Sequence, residues 1–313
     1  MLTLITHHSP VSLRKAGRAS LITNNKGMAL VLTLMVLALI TALVVEFSYA
    51  VYTNTNALYN WKTSQRLSFV AKSGVQLASK AILEEIRQHP SYTYPGSLDI
   101  PVKNPFEDFK GTVLLRIEDE NSKFNINSLQ IVRDDWYYNS FLRLLRALDI
   151  DPGIANRIAD WIDADSDPRL SDSEKGAKNK PLDSINELLL IPGIDKKSYD
   201  KLLPYITIYG DKSININGAE IPVLMSLSDS IDKNMAERIV AYRKISPFNS
   251  GADIQSVAGI TLPIYSQFGA RITAKGTHFR IISTATEEGI KKIIESVLEI
   301  SSLNATVRYW KEM

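Results

Sequence analysis

The longest apolar stretch of the chain lies near its start. Residues 28–45 contain no charged side chain, and as an α-helix they would extend about 27 Å at ~1.5 Å per residue. That length is close to the minimum for crossing the hydrocarbon core of a bilayer. The residues before this run include basic but no acidic side chains (Arg14, Lys15, Arg18 and Lys26). Because basic flanks stay in the cytoplasm, we expect the N-terminus inside the cell and the bulk of the chain outside.

The helical pattern continues beyond the apolar run. Proline is absent until His89-Pro90, and apolar or small residues recur at helical spacing from Leu67 to Ile86. We therefore predict one helix of roughly 60 residues. Its first half would lie in the membrane, and its second half would pack on a globular domain.

A different pattern follows the helix. Residues 90–111 are rich in proline and glycine and predict loops. Alternating and β-branched residues then predict four strands, at residues 112–118, 279–285, 290–301 and 306–310. We expect these strands to form one sheet against the second half of the helix.

Between the first and second of these strands, residues 134–274 predict a block of short helices. These helices are expected at residues 136–148, 154–162, 182–190, 197–203, 221–227, 233–244, 251–257 and 263–269. Residues 188–194 and 253–260 resemble each other, since each ends in a hydrophobic-X-Gly-hydrophobic turn. This is the helix–hairpin–helix pattern, in which glycine permits the tight turn. A second similarity links Phe124-Asn125-Ile126-Asn127 with Ile214-Asn215-Ile216-Asn217.

The charge of the helical block bears on its partners. Residues 121–275 hold 19 lysines and arginines against 20 aspartates and glutamates, and the whole chain has a formal net charge of +2. A groove that binds DNA through phosphate contacts is expected to be basic. We therefore expect the hairpins to have a structural or protein-binding use, without nucleic acid.

Catalytic motifs are missing from the sequence. It has no cysteine and only four histidines, with no Ser-His-Asp arrangement, phosphate-binding loop or zinc-ligand spacing. We expect a protein that is not an enzyme.

The densest group of carboxylates predicts a calcium site. Asp163, Asp165, Asp167 and Glu174 stand at positions 1, 3, 5 and 12 of an EF-hand-type loop. Pro168 replaces the usual glycine at position 6, so the turn must differ from that of a standard EF-hand. The alternative interpretation is a solvated acidic loop.

The start of the chain resembles that of type IV pilins and pseudopilins. A short basic leader, a Lys26-Gly27-Met28 junction and a long helix carry this resemblance. It implies that prepilin peptidase cuts between Gly27 and Met28. Most family members have glutamate at the fifth mature position, where this chain has Leu32. The branch that typically lacks this glutamate is the large minor pseudopilin K of type II secretion.

Motifs in the helical block resemble the same branch, in the family's order. They are Phe124-Asn125-Ile126-Asn127-Ser128-Leu129, Asp160-Trp161-Ile162-Asp163-Ala164-Asp165, Asn179-Lys180-Pro181-Leu182-Asp183-Ser184-Ile185-Asn186-Glu187-Leu188 and Ile191-Pro192-Gly193-Ile194. The resemblance implies an α+β, pilin-like core with a large all-helical insertion that is associated with calcium. The expected division is a leader (1–27), a transmembrane segment (28–45), a first core part (46–120), the inserted domain (121–275) and a C-terminal sheet (276–313).

The resemblance also implies a function. The chain would be a minor pseudopilin at the tip of the pseudopilus, helping to initiate assembly and the export of folded proteins across the outer membrane. It would cross the inner membrane once, with its N-terminus cytoplasmic and its bulk periplasmic. Its implied partners are the minor pseudopilins I, J and H, the major pseudopilin G, prepilin peptidase and the secretion platform.

Three alternatives remain open at this stage. The apolar run is also compatible with an uncleaved membrane anchor. It is compatible with a secretory signal peptide cut before Val51, because Ser48 and Ala50 are small residues at the positions read by signal peptidase. A membrane-anchored helix–hairpin–helix DNA-binding protein of a competence or type IV pilus system is the alternative function.

Overall fold

The structure is a computed structural model that describes residues 25–103, 109–130, 135–301 and 304–313. The chain divides into two compact units, Met1–Tyr59 and Asn60–Met313. Helix α1 (Asn25–Gln88) begins in the first unit and ends in the second.

The described part of the first unit is helical. The apolar side chains of residues 28–45 are all exposed. Among the described residues, α1 is the one helix long and apolar enough to cross a membrane, with a mean hydropathy of 2.9 in its most apolar window. The predicted long helix is therefore confirmed. The predicted leader, apart from residues 25–27, lies outside the described residues.

An antiparallel sheet of five strands forms part of the second unit. Its order is β1 (Ser97–Val102), β2 (Thr112–Asp119), β7 (His278–Glu287), β8 (Ile290–Ser301) and β9 (Asn304–Glu312). The four predicted strands are present. Strand β1 was predicted as loop, because Pro95, Gly96 and Pro101 outweighed the alternation of Leu98, Ile100 and Val102. Its Pro101 is tolerated because β1 is an edge strand, where a missing N–H need not break the sheet.

The second part of α1 covers one face of this sheet. Seven α1 side chains are buried in a core with residues of β2, β7 and β8 (Leu67, Val70, Ala71, Val75, Ala78, Ile82 and Ile86). Gly74 permits the close approach, since a Cβ there would lie 2.3 Å from the Ser283 hydroxyl oxygen. The periodic apolar stripe of the sequence is thus the face that packs on the sheet.

The helical block has a separate hydrophobic core. That core is built from buried residues between Phe124 and Ala274. The block contains two halves of similar construction. The first starts at β3 (Phe124–Asn125) and closes on β4 (Ile206–Thr207), and the second starts at β5 (Ile214–Asn215) and closes on β6 (Ile272–Thr273). Both short ladders are parallel.

Each half has the same order of elements between its two strands. A pair of α-helices comes first, α2 (Asp135–Ala147) and α3 (Gly153–Ile162), or α5 (Ile221–Ser226) and α6 (Lys233–Ile245). A 3₁₀ helix follows, Ile185–Leu190 or Gly251–Ser256. A glycine turn then leads into α4 (Lys196–Leu202) or α7 (Leu262–Tyr265). Residues 182–190, 251–257 and 263–269 were predicted as full helices, and the structure has shorter or tighter ones.

The repeated asparagines have matching roles in the two halves. The Asn127 amide donates to the Leu182 carbonyl (3.1 Å) and accepts from the Leu182 N–H (2.8 Å). The Asn217 amide does the same with Phe248, at 2.8 and 2.9 Å. Each asparagine therefore ties the start of its half to the residues just before its 3₁₀ helix. The sequence similarity is a structural repeat.

Candidate metal centre and family relationships

The candidate site lies where α3 ends. The Asp163 N–H donates to the Ala159 carbonyl (2.9 Å) and closes the helix, and the backbone then becomes extended. Asp160 and Asp163, three residues apart, share one side of the helix end, and both side chains are fully buried. A buried carboxylate needs a positive or donating partner.

Arg169 supplies that partner. Its guanidinium Nη1 contacts Asp160 Oδ1 and Asp163 Oδ2, and its backbone N–H donates to Asp160 Oδ2 at 2.8 Å. The Ser173 hydroxyl also contacts Asp160 Oδ2. The loop after α3 therefore folds around the Asp160 carboxylate.

A second set of carboxylate oxygens meets beside this ion pair. One carboxylate oxygen each from Asp163, Asp165 and Glu174 lies within 4.8 Å of the others. Within the described part of the chain, four buried oxygens near this group have no hydrogen-bond partner: Asp163 Oδ1, both carboxylate oxygens of Glu174, and Asn179 Oδ1. Asn179 is held close to Asp165, because its side-chain N–H donates to the Asp165 carbonyl at 2.9 Å.

Electrostatics in the group favour a bound cation. Burial raises the pKa of Asp163, although Arg169 acts against the shift. Burial also raises the pKa of Glu174, and the neighbouring carboxylates of Asp160, Asp163 and Asp165 raise it further. Unpartnered oxygens on mutually repelling carboxylates form a donor set that suits a hard cation such as calcium. The residues present therefore fit the cation implied by the sequence.

The structure brings together three of the four predicted ligands. Asp167 lies outside the group and is exposed, and its backbone N–H donates to Asp165 Oδ1 at 3.0 Å. The structure therefore does not place the Asp167 carboxylate with the other three, and its role as a ligand stays a prediction. Asn179 was missed because it lies outside the twelve-residue loop. Its positive φ of 50°, which asparagine tolerates better than most residues, is visible only in the structure.

The two glycine turns are also candidate functional features. Gly193 and Gly259 have φ values of +91° and +99°, in the region that favours glycine. Beside the first turn, Lys196 pairs with Asp200 and lies 5.5 Å from the centre of the Tyr199 ring. A carboxylate therefore lies beside this lysine, which agrees with the balanced charge of the block.

The predicted cleavage junction lies within α1. Gly27 and Met28 are helical, and Met28 is exposed. Among the described residues, no atom would lie within 4 Å of a Cβ at Gly27. No described residue therefore covers the helix at this junction.

Comparison with known proteins shows which family this chain resembles. Two family profiles, both described as type II secretion system (T2SS) protein K, match residues 122–211 and 214–271. Type II secretion system protein K of Pseudomonas aeruginosa is 28% identical over 306 residues, which cover 87% of this chain and 88% of that protein. The chain is therefore similar to protein K of type II secretion systems over most of its length. The boundary between the two profiles coincides with the boundary between the two halves of the helical block.

Further relatives agree with this similarity. Type II secretion system protein K of Klebsiella pneumoniae is 25% identical over 215 residues, covering 61% of this chain and 65% of that protein. A chain from the crystal structure of the GspK-GspI-GspJ complex of the enterotoxigenic Escherichia coli type 2 secretion system has a TM-score of 0.62. It is 19% identical, and the match covers 80% of this chain and 96% of that one. The fold of the protein K family, which mixes helices with a sheet, is thus shared.

The similarity to protein K supports the role of a minor pseudopilin of a type II secretion system for this chain. The alternative of a DNA-binding protein of a competence or pilus system receives no support from these relatives.

Proposed function

We propose that this minor pseudopilin is anchored in the inner membrane by α1, occupies the tip of the pseudopilus and helps to initiate its assembly. The main support is the continuity of α1, which runs from an exposed apolar segment into the part that packs on the sheet. A subunit of this design can be stored in a membrane and later join a helical fibre. Its bulk would be periplasmic and its N-terminus cytoplasmic, because the basic residues precede the apolar segment.

The arrangement of the second unit supports a pilin-like core with an inserted domain. Strands β2 and β7 are direct neighbours, with Asp119 opposite Phe279, although more than 150 residues separate them in sequence. The helical block therefore leaves and re-enters the sheet at one place, as an insertion at residues 121–275 would. The two glycine turns would act as helix–hairpin–helix units in a protein scaffold.

Two features favour the tip position. The first is the bulk of the helical block, which would prevent another subunit from adding above it. The second is Leu32 at the fifth position after the proposed cleavage. A subunit at the tip has no neighbour above it, so it does not need the glutamate that other pseudopilins carry there.

Processing by prepilin peptidase tests the membrane part of this proposal. We expect the membrane-extracted protein to start at Met28 in cells that have the peptidase, and to retain the basic leader in cells that lack it. Gly27→Leu should block cleavage, whereas Ser48→Leu should not. A start at Val51, or an intact N-terminus in both strains, would contradict the proposal.

The partners follow from the structural relative. Because that relative is a complex of GspK with GspI and GspJ, we propose the minor pseudopilins I and J as direct partners of this chain. Pseudopilins H and G and the secretion platform would be further components of the same assembly. Full-length protein extracted in detergent should co-purify with I and J, and recovery of neither would count against this assignment.

We also propose that the loop after α3 binds one calcium ion through Asp163, Asp165, Glu174 and Asn179. Calcium would join the end of α3 to the residues that precede the 3₁₀ helix. Calorimetric titration of the full chain in detergent should detect binding that Asp163→Asn or Glu174→Gln reduces at least tenfold. Asp167→Asn is the matched control and should remain within about twofold of wild type. Equal effects of the three variants would contradict this ligand set.

A further inference from the structure

Arg169 occupies an unusual place beside the proposed calcium site. A positive side chain next to a cation site weakens electrostatic attraction for the cation. Yet Arg169 is bound by both fully buried carboxylates of the α3 end, through one guanidinium nitrogen. The contacts of Arg169 must therefore compensate for the weaker electrostatic attraction between the site and the cation.

The contacts of Asp163 indicate what Arg169 provides. Asp163 Oδ2 contacts Arg169, and Asp163 Oδ1 is buried without a partner in the described part of the chain. Asp163 also belongs to the group with Asp165 and Glu174. With one oxygen held by the arginine, the carboxylate cannot rotate freely, and its other oxygen stays available to a cation.

The contacts of Asp160 add a second constraint. Asp160 accepts from the backbone N–H of Arg169 and contacts the Ser173 hydroxyl. These two contacts fix the loop residues on either side of Leu170, just before Glu174. The loop can therefore be folded before any cation arrives.

We propose that Arg169 is a positioning residue: it pre-organises the loop at residues 163–174 and turns Asp163 Oδ1 towards the cation. This inference rests on the calcium site proposed above. Pre-organisation strengthens metal binding because less ordering of the ligands remains to be done when the metal binds.

Variants can separate positioning from charge. At neutral pH the four carboxylates and Arg169 have a formal charge of −3 (Asp160, Asp163, Asp165 and Glu174). The double variant Asp160→Asn/Arg169→Gln removes the ion pair and keeps that charge. We expect calorimetric titration of the full chain in detergent to give calcium binding about tenfold weaker or more for the double variant. Arg169→Lys, whose ammonium can contact both carboxylates, should remain within about threefold of wild type.

Lys178→Gln is the matched control for charge. Lys178 pairs with Asp183 and Glu187. Its replacement by glutamine removes a positive charge close to the loop and breaks no contact with a proposed ligand. This variant should bind calcium as wild type does, or slightly more tightly. Unchanged calcium affinity in the double variant, or tighter binding in Arg169→Gln than in Lys178→Gln, would overturn the role of Arg169.

Hydrogen exchange distinguishes a positioning role from a general structural one. Without calcium, the loop should exchange faster in the double variant than in wild type. With saturating calcium, protection should return in both, because the metal then holds the ligands itself. A loop that remains unprotected with calcium would overturn the proposal, since Arg169 would then be needed for folding as such. If the wild-type chain binds no calcium, both the proposed calcium site and the positioning role of Arg169 are wrong. If wild type binds calcium and the double variant binds it equally well, only the positioning role of Arg169 is wrong.

Discussion

Asp119 links the sheet to the second half of the helical block. It ends β2 and is 2% exposed. Its carboxylate accepts from the Asn215 amide (2.6 Å), the Asn121 N–H (2.8 Å) and the Thr93 hydroxyl (3.3 Å). Burial raises the pKa of Asp119 to about 6, although these hydrogen bonds act to lower it. Three neutral donors thus only partly compensate the loss of water around this charge.

This raised pKa predicts a pH-dependent stability. Because the folded protein holds the Asp119 proton more tightly than the unfolded chain, this group's contribution is most favourable below pH 3.8 and declines as the pH rises to about 6. The decline is about 3 kcal/mol, from roughly 1.4 kcal/mol per pH unit. Urea unfolding of the full chain in detergent, at pH 4 and pH 7, measures it.

Asp119→Asn is the comparison that isolates this residue. Asp163 and Glu174 shift stability in the same direction, so only the difference between wild type and variant is informative. The variant should lose most of the pH dependence assigned to Asp119. An identical slope in both proteins would show that Asp119 titrates at its ordinary pKa.

At the scale of the elements, each half of the helical block is held together by one asparagine, Asn127 or Asn217. Asn217 is fully buried and donates to the carbonyls of Phe248 and Ala274, while it accepts from the Phe248 N–H. Asn127 makes the corresponding pair of bonds but is only partly buried. The two asparagines therefore have the same role, but the more deeply buried Asn217 should contribute more to the free energy of unfolding.

We predict that Asn217→Ala lowers the free energy of unfolding by about 3 kcal/mol, since three buried hydrogen bonds are lost. Asn127→Ala should cost less. Hydrogen exchange followed by mass spectrometry should show faster exchange in residues 214–273 for the first variant and in residues 124–207 for the second.

The exposed Asn234 in α6 provides the control for this comparison. Asn234→Ala should leave both stability and exchange near wild type. If Asn217→Ala instead accelerated exchange equally across both halves, the halves would form one cooperative unit.

At the scale of the whole molecule, the second unit has two hydrophobic cores, one under the sheet and one inside the helical block. The proposed calcium loop belongs to the first half of the block only. In that half, α3 and the 3₁₀ helix are joined by residues 163–184, whereas residues 246–250 make the equivalent connection in the second half. The longer connection has more residues to keep ordered, so a bound cation would stabilise it more than the shorter one.

Removal of calcium should therefore have a confined effect. With a chelator, we expect faster hydrogen exchange in residues 163–187 of the full chain. Exchange in the sheet and in residues 214–273 should stay the same, because neither contains the ligands. A loss of protection across the whole block would mean that calcium maintains its fold, and no change at all would contradict the cation site.

The charge balance of the block predicts a negative result with DNA. Full-length protein in detergent should not bind double-stranded DNA at low salt, where phosphate contacts are strongest. Titration by fluorescence anisotropy measures this, with a basic DNA-binding protein as positive control. Salt-sensitive binding would revive the alternative function.

The elements of this protein were largely predictable from its sequence. The long helix, four sheet strands and the helices α2, α3, α4 and α6 follow from apolar periodicity, which is local to each segment. Local patterns did not separate a 3₁₀ helix from an α-helix at residues 185–190, because both helices place residues three apart on one face. The edge strand β1 was hidden for a related reason, because its pairing with β2 is what makes an extended proline-containing segment a strand.

The candidate site divides in the same way. The sequence by itself determined that Asp163, Asp165 and Glu174 are candidate ligands, because their types and spacing suit a loop that wraps a cation. Only the tertiary structure left Asp167 outside the carboxylate group, brought Asn179 next to Asp165 and placed Arg169 between Asp160 and Asp163. Which side chains surround a buried carboxylate depends on where the chain folds back to it, and that path is fixed by packing of the whole block rather than by residues close in sequence.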